Sequence, residues 1–238
     1  MPAPAFPGTC SFCGETFTTR TIKRHLTLCA KRQADEAKLA KSKKAKTLSL
    51  YQLQVEGLGF FGKYWMTIEL PADASLRNLD QFLRDIWLEC CGHMSAFEIA
   101  GQRYSISPMN DPFFGVKELS MSAKLRDVAP IGAKLDYEYD FGTTSELKLK
   151  VLSEREGPRT NRAVQVLARN APPVIQCEGC KQAPAIELCA ECIYSGPEDP
   201  ALFCEACAEE HEHDDMFLPL VNSPRTGLCG YTGYHPTH

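Results

Sequence analysis

Two stretches of the chain concentrate side chains that bind soft cations. Near the amino terminus, "CSFCGETFTTRTIKRHLTLC" spaces its donors as C-x2-C-x11-H-x3-C: Cys10, Cys13, His25 and Cys29. A Gly-containing turn brings the first two sulfurs together. Four-residue spacing puts His25 and Cys29 on one face of a helix, so the set can close a tetrahedron round one zinc ion. Phe17 and Leu26 supply the miniature core such a finger needs. Without an ion the segment has almost no apolar interior to fold round.

Toward the other end, "CEGCKQAPAIELCAECIYSGPEDPALFCEACAEEHEH" carries Cys177/Cys180, Cys189/Cys192, Cys204/Cys207 and His211/His213, separated by eight, eleven and three residues. Eight soft or borderline donors make two tetrahedral sites, which with the finger gives about three zinc ions per chain as the expected cofactor. Sequential pairing makes two independent knuckles and interleaved pairing a cross-brace; the spacing leaves both open. Residues two apart on a helix diverge, so a turn or strand is expected at His211 and His213, with Asp214 or Asp215 as the last ligand if that stretch is helical. A thioredoxin-type redox reading fails, because three consecutive C-x2-C pairs lack the strand-to-helix setting of that chemistry.

Three more thiols stand apart. Cys90 and Cys91 with His93, in "CCGHMSAF", make a pocket conceivable, but a structural role for half-buried thiols is the stronger expectation. Cys229 has no His that the sequence forces near it and is expected to be buried and structural.

The 238 residues are 44% apolar and 24% charged, an ordinary balance for a soluble protein. No run of eighteen apolar residues occurs, and "MPAPAFPGTC" has no basic or apolar leader character, so the expected compartment is cytoplasmic and no membrane is implicated. In a reducing compartment twelve cysteines are not expected to form a disulfide framework, and the regular C-x2-C pairs argue for metal instead. The formal charge of −4 hides an asymmetry: ten basic residues against two acids from Arg20 to Lys46, and eleven acids against Lys181 alone from Cys177 to Asp215. The basic end, through Arg20, Lys23, Arg24, Lys31 and Arg32, is expected to track DNA or RNA phosphates with strong salt dependence. The acidic end suits a basic protein partner. No Gly-rich phosphate loop, serine elbow or open metal triad is present, so no enzyme activity is expected and no catalytic residue is assigned.

The elements that must position these groups divide into a finger (1–32), a basic linker or helix extension (33–46), a periodic core (47–170), a two-zinc module (171–215) and a tail packing on the core (216–238). In the core, "YQLQVE" and "YWMTIEL" alternate as a hairpin round "GLGFFG". Ser75 caps a helix with apolar Leu76, Leu79, Leu83, Ile86 and Cys90. "SAFEIAGQRYSI" reads as a second hairpin, and "KLDYEYDF", "ELKLKV" and "RAVQVLA" as further strands. The expected class is α+β: a β-grasp-like curled sheet with one main helix, flanked by small zinc-stabilised modules at both ends.

On "YQLQVEGLGFFGKYWMTIELPADASLRNLDQFLRDIW", "FEIAGQRY" and "LRDVAPIGAKLDYEYDFG", the region from about 48 to 155 resembles the plasmid pRiA4b ORF-3-like domain of mobile elements. The resemblance implies a compact α+β domain associated with mobile DNA, of poorly assigned biochemistry. This chain departs from the pattern twice. Thr143, Thr144 and Ser145 follow "YDFG" where relatives carry acidic residues and a Trp, and Ser95 follows His93 where relatives show His-x-His. "LFCEACAEEHEH" after two C-x2-C pairs resembles the B-box class of zinc modules, with a shorter His spacing. That resemblance implies interleaving, with Cys177, Cys180, Cys204 and Cys207 on one ion and Cys189, Cys192, His211 and His213 on the other. The functional expectation is a multi-zinc, nucleic-acid-associated accessory protein linked to mobile elements. The alternative is a protein–protein interaction adaptor using the acidic module.

Overall fold

The computed structural model describes residues 6–41, 46–111, 113, 116–158, 162–196, 200–213 and 215–233. The finger contributes β1 (Gly8–Cys10), β2 (Thr16–Phe17), α1 (Thr19–Leu28) and α2 (Ala30–Ala40). The core opens with the long hairpin β3 (Thr47–Gly59) and β4 (Gly62–Pro71), followed by α3 (Leu76–Leu83). Next come β5 (Ser95–Ile99), β6 (Gln102–Ser105), the short β7 (Asn110–Asp111), β8 (Val116–Lys117) and β9 (Leu119–Ser120), and one helical turn, α4 (Leu125–Val128). It closes with β10 (Lys134–Tyr139), β11 (Ser145–Pro158) and β12 (Gln165–Asn170). The carboxy-terminal module holds β13 (Glu187–Cys189), α5 (Cys192–Ser195), β14 (Leu202–Phe203), α6 (Glu205–Glu209) and β15 (Phe217–Pro219).

Ten strands form one sheet in the order β2-β1-β12-β4-β3-β11-β10-β5-β6-β9, antiparallel except for the β6–β9 pair. This is the expected α+β class, a large sheet curled on α3. Period-two alternation explains the inner face: Leu53 and Val55 of β3, Met66 and Ile68 of β4, and Leu135 and Tyr137 of β10 all lie in one core with Leu76, Leu79 and Leu83. Ser75 starts α3 by accepting a hydrogen bond from the Asn78 amide at 3.2 Å.

Two features differ from the periodic reading. α3 continues as a π-turn over Arg84–Leu88, whose extra residue per turn shifts the buried face. Trp87 and Leu88 are therefore fully buried, while Ile86 is only half-buried. Secondly, β4 is buried on both faces: Trp65, Thr67 and Glu69 are as inaccessible as the inward Tyr64, Met66 and Ile68. The cause is the finger. β1 pairs with β12, so the amino-terminal strand is the sheet's own extension. Ile22 and Leu26 of α1 pack on Trp65 and Leu167, and the Trp65 Nε1–H donates to the Phe6 carbonyl at 2.7 Å. Gly8 is needed at this junction, since a Cβ there would strike the Arg169 carbonyl and the Trp65 ring.

Candidate metal centres

In the finger, the Cys10–Cys13 turn is closed by the Gly14 amide donating to the Cys10 carbonyl at 2.9 Å, with Gly14 at φ +77°. α1 delivers His25, whose Nε2 lies 3.3 Å from Cys13 Sγ, and the ring stacks on Phe17 at 4.0 Å between centroids. The helix stops where the last ligand is needed. Cys29 takes an extended conformation and sets its Sγ 4.0 Å from that of Cys10, after which α2 restarts at Ala30. The basic stretch is thus a second helix rather than an unbroken extension; residues 42–45 of it lie outside the described residues.

The carboxy-terminal module is built on the small sheet β14-β13-β15. Its first knuckle, Cys177–Cys180, turns through Lys181 at φ +56°, and Glu178 ties it to β14 by accepting from the Ala201 and Leu202 amides at 2.6 and 3.0 Å. The second knuckle, Cys189–Cys192, joins β13 to α5, and the third, Cys204–Cys207, opens α6. α6 ends at Glu209, so His211 and His213 sit on irregular backbone where both rings can turn to the same place. His211 Nε2 and His213 Nδ1 lie 3.4 and 3.5 Å from Cys192 Sγ, and His213 Nδ1 lies 3.7 Å from Cys189 Sγ. Cys180 and Cys204 sulfurs are 3.8 Å apart.

The structure thereby brings together Cys10, Cys13, His25 and Cys29; Cys177, Cys180, Cys204 and Cys207; and Cys189, Cys192, His211 and His213. Within each set the donor atoms all lie within 4.8 Å of one another. The two carboxy-terminal sets interleave. A tetrahedral ion with sulfur at about 2.3 Å and nitrogen at about 2.0–2.1 Å requires edges of about 3.8 Å between sulfurs and about 3.6 Å between sulfur and nitrogen, close to these separations. No disulfide joins any cysteine.

Electrostatics supports the same use. Burial alone would raise the Cys177 thiol, but backbone amides of Cys180 and Cys204 and hydrogen bonds from neighbouring thiols outweigh it and hold the group at about 6. Cys207 is pushed the other way, to about 12, by its hydrogen bond with Cys204 and by burial. Four adjacent sulfurs cannot all ionise against one another unless a cation shares the site. The donor set, spacing and poised thiolate all fit a metal ion.

The residues expected to meet nucleic acid separate into two kinds. Arg20, Lys23, Arg24 and Lys31 are exposed on the side of the finger away from Ile22 and Leu26. Arg32 is buried: it donates to Glu36 and Glu69 at 2.8 Å each and to the Leu26 carbonyl at 3.2 Å, in a network completed by Arg155. Its charge fastens α2 to the sheet and is not presented to a ligand. Cys229 also differs from its expected place, being exposed, with Sγ 3.3 Å from His93 Nε2. The interior charge of the tail had no sequence signal. Arg225 has no exposed surface and donates to Asp140 Oδ2 at 2.7 Å. No described helix is long and apolar enough to cross a membrane.

Among solved structures, the crystal structure of MM3350, a protein of unknown function from Methanosarcina mazei Go1, is similar at 20% identity and a TM-score of 0.39, covering 50% of this chain and 67% of that one. No curated protein matches. The family model described as "Plasmid pRiA4b ORF-3-like protein" matches residues 49–202, which take in most of β3, the sheet strands from β4 to β12, α3 and the first two carboxy-terminal knuckles. The chain therefore belongs to the plasmid pRiA4b ORF-3-like family.

Proposed function

We propose that the chain is a zinc-stabilised, nucleic-acid-associated accessory protein of mobile elements, with zinc in each of the three clusters. The observation that carries this reading is the disposition of α1. One face is fixed to the sheet through Ile22, Leu26 and Trp65, and the other presents Arg20, Lys23 and Arg24, continued by Lys31. None of these four forms an ion pair among the described residues, and α1 contains no acid. A cationic ridge held rigidly on a folded body binds phosphates with little ordering cost and weak sequence preference. One finger reads about three base pairs, so specificity must come from a partner or a second copy. Each cluster supplies four donors and leaves no open coordination position, which favours a binding role over catalysis.

Removing residues 1–46 would strip β4 of its cover and confuse binding with folding, so charge neutralisation is the cleaner test. The variant R20Q/K23Q/R24Q/K31Q should lose retention on duplex DNA or RNA at low salt. The wild type should show a log K against log salt slope of about −3 to −4, from roughly 0.9 per neutralised phosphate. Undiminished binding by the folded variant refutes this reading.

A second reading, an adaptor for a basic protein surface, is favoured by one observation. Glu178, Glu191, Glu205, Glu209, Glu210 and Glu212 are all exposed round the carboxy-terminal module. That surface would repel phosphate and attract cationic segments.

A further inference from the structure

We propose that Cys90, Cys91, His93 and Cys229 form a fourth metal site, taking a soft divalent ion of the zinc class and clasping the carboxy-terminal tail to the end of the α3 helix. Their four donor atoms lie within 4.8 Å of one another, the same limit that encloses the other three clusters. The Cys229 Sγ to His93 Nε2 separation of 3.3 Å is near the sulfur–nitrogen edge of about 3.6 Å in a tetrahedral zinc site. Three thiolates and one imidazole are the donor set already present in the finger.

Chain connectivity does not explain the meeting, because Cys229 comes from 136 residues beyond His93. It also lies outside the family match, so the site ties the matched region to a segment beyond it. The tail is aimed at the spot by two anchors. Ser223 Oγ donates to the Trp87 carbonyl at 2.5 Å, and Arg225 Nη1 donates to the Thr143 carbonyl and Ser145 Oγ at 3.1 and 3.0 Å.

The surroundings are those of a ligand set. Arg225 Nη2 donates to Cys90 Sγ at 3.3 Å and to Asp140 Oδ2 at 2.7 Å, and Asp140 Oδ2 stands 3.5 Å from His93 Nε2. The guanidinium thus links the Cys90 sulfur to the Asp140 carboxylate, which lies beside the imidazole. The backbone repeats the finger's device: Gly92 after Cys91 takes φ +74°, as Gly14 after Cys13 takes +77°. Cys229 itself holds φ +50°, a conformation costly for a residue with a Cβ and maintained where the side chain is required in one place. Cys91 and Cys229 are exposed, whereas each of the other clusters has at least one buried cysteine. The fourth ion is accordingly the first to exchange.

The test is metal content by native mass spectrometry of the full chain, purified from zinc-replete cells under anaerobic reducing conditions, beside the variant C91S/C229S. Both substituted thiols are exposed, so the fold survives the change. The wild type is expected to hold four zinc ions and the variant three. Cadmium-113 resonance of the exchanged wild type should give two signals of the three-sulfur, one-nitrogen kind, and the variant one. Equal zinc counts in the two proteins overturn the proposal. So does a wild type with one such cadmium signal, or one in which Cys229 is isolated as a disulfide with Cys90 or Cys91.

Discussion

Arg225 shows how one residue from outside the family match is built into its centre. The guanidinium lies against the Tyr139 ring at 4.8 Å, and Arg84 approaches the same ring at the same distance. Burial works against the ionised form of Asp140, but the Arg225 hydrogen bond and the amides of Thr143 and Gly142 outweigh it and hold its carboxyl below the usual aspartate range. Replacing Asp140 with Asn removes the carboxylate paired with this fully buried cation. Urea unfolding at neutral pH should register a loss of about 3–5 kcal/mol. The sign of the pH dependence follows from the depressed value. The pair's contribution is complete above the unfolded aspartate pKa and is lost as pH falls through the lower folded one. The wild type should therefore lose stability on that acid limb, and D140N should show a shallower one. A D140N protein as stable as wild type would remove the pair from the account.

At the scale of elements, the decisive contact is between the finger and β4. α1 and α2 convert the outer face of that strand into interior, with Trp65 as its largest side chain and the Arg32, Glu36, Glu69 and Arg155 ion network at its border. Trp65→Ala should cost about 3–5 kcal/mol, as for other buried aromatic truncations. Amide exchange should quicken in β1 and α1 before it does in α3. Unchanged protection of β1 in that variant would show that zinc and strand pairing hold the finger without the apolar contact. This arrangement also marks where sequence reasoning stops. Strand alternation, the Ser75 cap and the C-x2-C turns are local properties, and they were legible. The second buried face of β4 was not, because its cover comes from a segment separated from it by the linker and β3. The burial of Arg32 is hidden for the same reason, since its carboxylate partner Glu69 is 37 residues away. The π-turn after Leu83 moved Trp87 into the core in place of Ile86, a phase change no fixed period anticipates.

For the whole molecule, the two ends are alike in being poor in apolar residues and rich in sulfur and imidazole, and both are attached to one family core. The ligands of the finger were legible as a set because all four fall within twenty consecutive residues. The interleaving of the carboxy-terminal pairs rested on a resemblance, because equal C-x2-C units carry no mark of which joins which. The meeting of Cys229 with His93 could not be read at all. The proposed function turns on divalent ions at sulfur-rich tetrahedral sites holding both ends in place. Zinc K-edge absorption of the reduced, full-length protein tests this most directly. The account predicts a first shell of about three sulfurs at about 2.3 Å to each nitrogen at about 2.0–2.1 Å, the ratio set by nine cysteines and three histidines in the three clusters. A zinc shell made only of light atoms, or a metal-free protein whose finger and carboxy-terminal module remain folded, would contradict it.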